Sequence, residues 1–542
     1  MKNLRGLSIA MLLLSAFACK KTEEVTPPEV VPVPTITSIS ATSGASGDVI
    51  TIMGANFANV TSVKFGGTAA SSYTVVNSTS ITATLGNGAS GDVTVTTPGG
   101  TAKLAGFTFF GAGTQFDVRG IINASTTWKK DFVYRLRGYV YVTTNSVLTI
   151  EAGTKIVSDK DSAGVLVITP GSKIMAEGTA ANPIVFTSND ASPAPGDLGG
   201  LVIAGNAKVN GNHKVIEGGL DVNYQSFGGN NDADNSGILR YVRIEYAGKA
   251  VNPGDEVNGL SLYGVGSGTE VDYIQVARGY DDAYEMFGGA VNCKHLVAYN
   301  SADDDFDFDD GYNGKIQFAI SIKDPTFTDP KGTTGDISNN FEVDNVNPKN
   351  GLAYSRTPIT SPIMSNFTAI GPNNAAGMSA DYGYGMRWRR GSQFILANSV
   401  ILGSKKEAFR VQEDSTISYF LNGSSLLQHC YIHDQTPSFA SADFYSVDAK
   451  YTIPNFAVYD LSTIKSTYAA TGTIEVSDPS TLGLTDPFNN LSPNLNPGGG
   501  SILLSGADFA PAKLTDAFFE KVSFVGAIGT TDWTTGWTRW GF

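Results

Sequence analysis

Cysteine is scarce in this chain: three residues in 542, at positions 19, 293 and 430. So few exclude a disulfide framework, and Cys293 and Cys430 are read as two buried free thiols. Charge is sparse as well, at 16% of residues, and the balance is acidic, with 51 Asp and Glu against 37 Lys and Arg. No basic stripe occurs, which argues against nucleic acid as a partner. Beyond the first 20 residues, no apolar run approaches the roughly 18 to 20 residues that a membrane-spanning helix needs. Only four histidines occur, and the one close pair, His429 and His433, is not bracketed by other metal ligands. No nucleotide-binding glycine motif is present, and the many Gly-Gly pairs read as strand corners that need positive φ. Glycine itself is abundant, at 61 residues, among many Thr, Ser, Asn and Val. Such a composition disfavours helices and suits short strands joined by tight turns.

The N-terminus carries Lys2 and Arg5, then an apolar run from Leu7 to Leu14, then Ser15-Ala16-Phe17-Ala18-Cys19. A charged start, a short apolar stretch and small residues before a cleavage point form a secretory signal. Ala18-Cys19 resembles the lipobox of bacterial lipoproteins, although Phe17 is bulkier than usual there. The resemblance implies cleavage after residue 18 and a lipid anchor on Cys19, hence a membrane partner. The alternative is an ordinary secreted protein with a chance cysteine. Residues 19–34 continue as KKTEEVTPPEVVPVP after the cysteine, with four prolines and nothing to bury, and read as an extended tether. Glu23-Glu24 shortly after Lys21 resembles the tag that exports some lipoproteins to the outer face of the outer membrane. A cell-surface location is therefore expected, with the periplasmic face as the alternative.

Residues 35–110 contain short alternating runs, among them Val49-Ile50-Thr51-Ile52, Ser62-Val63-Lys64-Phe65 and Asp92-Val93-Thr94-Val95, separated by Gly, Asn and Ser. That pattern predicts an immunoglobulin-like sandwich. Ser43-Gly44, the Gly54-x-Asn56-Phe57 turn, Val63-x-Phe65-Gly66-Gly67 and Pro98-Gly99-Gly100 together resemble an IPT/TIG domain. In bacterial surface proteins the resemblance implies a spacer or contact module.

From about 115 to 542 the sequence repeats itself. Leu148-Thr149-Ile150-Glu151-Ala152-Gly153-Thr154-Lys155-Ile156 is echoed 18 residues on by Leu166-Val167-Ile168-Thr169-Pro170-Gly171-Ser172-Lys173-Ile174. Further apolar strands follow at looser steps of about 20 to 24 residues, around Leu260, Ile274, Leu296 and Ile316. A unit this short cannot bury its apolar face alone, and stacked coils solve that problem. The fold class is therefore all-β, an Ig-like sandwich followed by a right-handed parallel β-helix; a propeller needs repeats of about 40 to 45 residues. "LTIEAGTKI", "GSKIMAEGTAANPIVFTS", "DLGGLVIAGNAKVNG" and "DDAYEMFGGAVNCKHLV" resemble pectin-lyase-like β-helix proteins among bacterial surface lipoproteins. The C-terminal Trp533, Trp537 and Trp540 are expected to cap the open end of the solenoid against edge pairing.

The sharpest chemical candidate is acidic. Asp255-Glu256, Asp281-Asp282 and Asp303-Asp304-Asp305 recur at 26 and then 22 residues, one coil each, so they stack at one corner. Glu285, Asp307, Asp309 and Asp310 add to them. Crowded carboxylates repel unless a cation or base neutralises them, and oxygen ligands in such a loop suit Ca²⁺. An EF-hand is excluded by the displaced glycine and the missing twelfth-position Glu. The alternative is a solvated acidic corner that keeps the coils soluble. Tyr382, Tyr384 and Trp388, beside Arg387, Arg389 and Arg390, are candidates for stacking on and pairing with a glycan. The functional expectation is a non-catalytic binding or structural surface for glycan or protein. A polysaccharide lyase or glycoside hydrolase using the acidic corner is the alternative, but no motif of either matches residue by residue.

Overall fold

The computed structural model describes residues 31–252, 255–329, 337–434 and 461–542. Cys19 and the signal before it lie outside the described residues. Two compact units divide the chain, Met1–Ala112 and Gly113–Phe542. No helix among the described residues is long and apolar enough to cross a membrane.

In the first unit a four-stranded antiparallel sheet orders Thr35–Ile39, Val49–Ala55, Ser80–Thr84 and Ser72–Asn77. A five-stranded sheet orders Ser43–Ala45, Gly100–Phe110, Gly91–Thr97, Ser62–Phe65 and Thr68–Ala69. Alternate residues of the two sheets meet in a core of Ile50, Ile52, Val63, Phe65, Ile81, Val93, Val95 and Phe107. The first of the motif glycines has a steric cause: a Cβ on Gly54 would sit 1.9 Å from the Thr35 carbonyl oxygen and 2.5 Å from the Phe57 ring.

The second unit is a parallel β-helix, a single ladder of 25 strands paired coil to coil. Its coils correct one expectation. Leu148 pairs with Ile174 and Val140 with Leu166, so the early coils are 26 residues long. The 18-residue echo joins strands on different sides of a coil, because each side begins with a similar apolar triplet. Later steps shorten to 22 residues between Tyr284 and Phe306, as the acidic spacing implied. Where loops are inserted they lengthen, as between Phe306 and Phe341 or Phe341 and Met386.

One corner turns through a left-handed residue on successive coils: Tyr241, Tyr273, His295, Phe318, Asn366 and Asn398 all have φ between 49° and 61°. L-residues pay heavily for such a backbone unless neighbours hold it. Here the rings stack, Tyr241 on Tyr273 at 4.4 Å and Tyr273 on His295 at 4.1 Å. The C-terminal segment runs along this corner. The Gln275 side-chain amide exchanges two hydrogen bonds with the Arg539 backbone, Gln317 does so with Glu520, and Asn398 with Asp508. Trp537 and Trp533 pack edge-on against the Tyr and His rings. The C-terminal aromatics therefore cover a flank of several coils rather than capping an open end, because the stacked corner leaves an apolar groove for them.

Candidate functional site

The site lies on the outward face of one side of the β-helix, where strands Leu260–Tyr263, Tyr284–Phe287, Phe306–Asp309, Phe341–Val343, Met386–Trp388 and Phe409–Val411 stack in register. Side chains alternate in and out along a strand. Leu260, Tyr284, Phe306, Phe341, Met386 and Phe409 form one inward column, all buried. The outward column beside it reads Tyr141, Val167, Val202, Ser261, Glu285, Asp307, Glu342, Arg387 and Arg410. Along the axis this face thus passes from apolar to acidic to basic, at about 4.8 Å per rung.

The apolar rungs are covered by the loop between Ala204 and Gly237, whose Ile216, Leu220, Tyr224 and Phe227 pack on Tyr141, Val167, Val202 and Tyr263. That loop brings His213 to the acidic rungs. The His213 ring meets Phe287 edge-on, and its Nδ1 lies 2.9 Å from Asp310 Oδ1, with Nε2 3.4 Å from Glu217. Gly289 makes room beneath: a Cβ there would lie 2.4 Å from the Val265 carbonyl oxygen.

A concavity of about 180 Å³ opens over the acidic rungs, lined by eleven carboxylates and by His213, Arg389 and Arg390. Sequence reading supplied Glu256, Asp281, Asp282, Glu285, Asp303, Asp304, Asp307 and Asp309. It missed His213, Glu217, Asn258, Glu342, Asp344 and Asn347, which come from the inserted loop and from long coils where the period is lost. Asn258 donates to Glu285, and the Asp304 amide donates to Asp282 Oδ1 at 2.7 Å. Asp282, Glu285 and Asp307 bring one oxygen each within 4.8 Å of one another, and Asp304, Asp307 and Glu342 do the same. Asp307 belongs to both groups, and its Oδ1 is buried and makes no hydrogen bond. At the next rungs the acids are neutralised: Arg389 pairs with Glu342 and lies 2.8 Å from Asp344, and Arg390 is 2.5 Å from Asp344.

Burial, and after it the neighbouring carboxylates, raise the carboxyls of Asp282 and Asp307 well above their ordinary range. Glu285 is raised too, by burial and then Glu217, with His213 opposing. Asp309 rises to about 7, by burial and then by Asp310. Asp344 rises to about 8, by burial, with Arg390 opposing. Burial lowers the His213 imidazole, but its hydrogen bond and attraction to Asp310 outweigh that and carry it to about 10. His213 is thus a fixed cation at neutral pH, and the carboxylates around Asp307 hold protons or need a cation. Oxygen donors at this spacing with an orphaned carboxylate oxygen fit Ca²⁺, which takes six to eight oxygens. Asp282, Glu285, Asp304 and Asp307 are the residues that would hold it.

Four other candidates are placed differently. Asp305 is fully buried on the far side of its strand, accepting from Ser321 and 3.2 Å from the buried Lys323 ammonium. Asp310 lies behind His213 rather than in the concavity. Tyr382 and Trp388 are not available to a glycan. The Tyr382 hydroxyl donates to the carbonyls of Asp324 and Phe327 inside the protein. Trp388 is in the inward column, stacked on Phe394 at 3.9 Å. Alternation decides this: in Met386-Arg387-Trp388 only Arg387 points outward. Asp281 and Asp303 sit at the edge, grouped with Asp329.

The pectate-lyase-like β-helix domain model matches residues 120–476, and the IPT/TIG domain model matches 34–114. The chain belongs to the pectate-lyase-like β-helix family. It carries an IPT/TIG domain before the solenoid. A search of curated proteins finds no match. Among solved structures there is a match to SGBP-B from a complex xyloglucan utilization locus in Bacteroides uniformis. That match is 30% identical, with a TM-score of 0.13, and covers 14% of this chain and 22% of the other. In this pectate-lyase-like β-helix the acidic concavity therefore occupies the outer face of one parallel sheet, bounded by a loop on one side and arginines on the other.

Proposed function

We propose that this protein is a lipid-anchored envelope protein, displayed at the outer membrane, whose β-helix is a non-catalytic binding surface for an acidic glycan, with Ca²⁺ held in the acidic concavity. The observation that carries the reading is charge imbalance at a built site. Eleven carboxylates line one concavity with three cationic side chains, and a buried oxygen of Asp307 lacks a hydrogen bond. A divalent cation neutralises such a cluster and leaves positions for oxygens of a sugar acid. The lipid on Cys19 and the surface location rest on the signal sequence, and the order of lipid, tether, Ig-like domain and solenoid suits display of a rigid surface.

A second reading has one observation in its favour. Carboxyls raised to about 7 and 8, as at Asp309 and Asp344, are in the range of a general acid, and the same face would then act on a polysaccharide. One experiment separates the two. The protein is incubated with polygalacturonate and millimolar Ca²⁺, and both retention on the polymer and ultraviolet absorbance of unsaturated products are followed. Calcium-dependent retention without product supports binding. Product that disappears in Asp307→Asn establishes the enzyme instead.

A further inference from the structure

The basic rungs just beyond the acidic concavity form a second cluster of their own. Tyr384, half-buried, has the Arg387 guanidinium 5.7 Å, the Lys406 ammonium 5.3 Å and the Arg410 guanidinium 5.4 Å from its ring centre. Arg387 and Arg410 occupy consecutive rungs of the outward column, the continuation of Glu285, Asp307 and Glu342. Lys405 stands beside them, its ammonium held by the carbonyls of Ser379 and Ala380. The acidic groups among them are Glu342, 3.2 Å from Arg387 but also paired with Arg389, and Glu407, 3.3 Å from Arg410. Four cations with these two carboxylates, one of them shared, leave net positive charge in a half-buried setting. The strain of that crowding is visible at Lys406, whose ammonium is lowered by burial and then by Arg387, Lys405 and Arg410, against Glu407. Cations packed on an aromatic ring in this way are held in place before any ligand arrives.

We infer that Arg387, Lys405, Lys406 and Tyr384 form an anion-binding subsite that takes a carboxylate or sulfate group of the same glycan chain whose other acid groups reach the acidic concavity. The inference rests on the glycan reading above and adds a second point of contact. From Asp307 to Arg410 is three rungs, about 14 Å along the axis, so one extended chain reaches both. The subsite explains why the face is split by charge: the acidic rungs take anions only through a metal, whereas the basic rungs take them directly. Arg387 and Lys406 reach the anion; the buried Arg410 positions Tyr384 and raises the local potential.

The test uses the full chain and a Lys405→Gln/Lys406→Gln double variant, neither residue being in the acidic concavity. Retention is measured in affinity gels containing polygalacturonate, dextran sulfate or neutral dextran, with and without Ca²⁺, and melting with added Ca²⁺ is followed in parallel. Loss of charge-assisted hydrogen bonds predicts retention about tenfold weaker or more on an anionic polymer. Dextran should be unaffected, and the Ca²⁺-induced shift in melting should stay as in the wild type. Weakening on dextran sulfate identifies sulfate, and weakening on polygalacturonate alone identifies carboxylate. Equal retention of wild type and variant on both anionic polymers, or no retention of the wild type on either, overturns the subsite. If Ca²⁺ shifts nothing but the variant still loses polyanion retention, the subsite stands and the metal reading falls.

Discussion

Replacing Asp309 by Asn should stabilise the protein, and only at high pH. Asp309 sits in the acidic concavity, its Oδ1 accepting from the Asp310 amide at 2.9 Å, and Asn keeps that acceptor. Burial and Asp310 move its carboxyl from 3.8 to about 7. A carboxyl raised on folding stabilises below its unfolded value, where it is protonated in both states, and this is lost as pH rises through the folded value. Ionising it in the folded protein then costs about 4 kcal/mol relative to the unfolded chain. Asn mimics the protonated acid, so the variant should match the wild type near pH 4 and exceed it above about pH 8. For a unit of roughly 430 residues the unfolding entropy is about 0.9 kcal/mol/K, so the gain corresponds to about 4 °C. Thermal melts in chelator from pH 4 to 9 measure it. A difference that does not change with pH, or a variant that melts lower at pH 9, refutes the electrostatic account of the concavity.

Two further outcomes follow from the same geometry. His213→Gln leaves the fully buried Asp310 carboxylate without its cation and should cost about 3 to 5 kcal/mol at pH 7; because the imidazole is raised to about 10, this contribution is complete below about pH 6.5 and lost as pH rises through 10, which melts at pH 7 and 10.5 can follow. Trp537→Ala empties a buried site against Tyr241 and Tyr273 and should cost about 3 to 5 kcal/mol, read as early proteolysis of the C-terminal segment.

The sequence disclosed the solenoid because short apolar strands recur, and it disclosed the acidic corner because Asp282 and Asp304 are one uninterrupted coil apart. Both inferences depend on a constant period. Glu342 and Asp344 belong to the same columns but follow a coil lengthened by inserted loop, so spacing no longer points to them. His213 comes from a loop that covers the apolar rungs Tyr141, Val167 and Val202, and no local pattern announces where a loop folds back. Trp388 was misplaced for a different reason: composition near Arg387 suggested a binding surface, whereas in-out alternation in a three-residue strand puts the Trp inside. The C-terminal tryptophans were assigned to an open end because edge protection is a general need, but the stacked Tyr and His corner is the surface they match. The 18-residue echo reflects the similar triplets that open each side of a coil, and coil length itself shows only in the pairing of strands.

The central claim is that the carboxylates around Asp307 form a cation site. Isothermal titration of Ca²⁺ into the chelator-treated protein at pH 7.5, alongside Glu285→Gln, tests it most directly. The account predicts saturable binding accompanied by proton release, because Asp282, Glu285 and Asp307 carry raised carboxyls, and at least tenfold weaker binding in the variant. No heat of binding at millimolar Ca²⁺, or binding unchanged by Glu285→Gln, would contradict it.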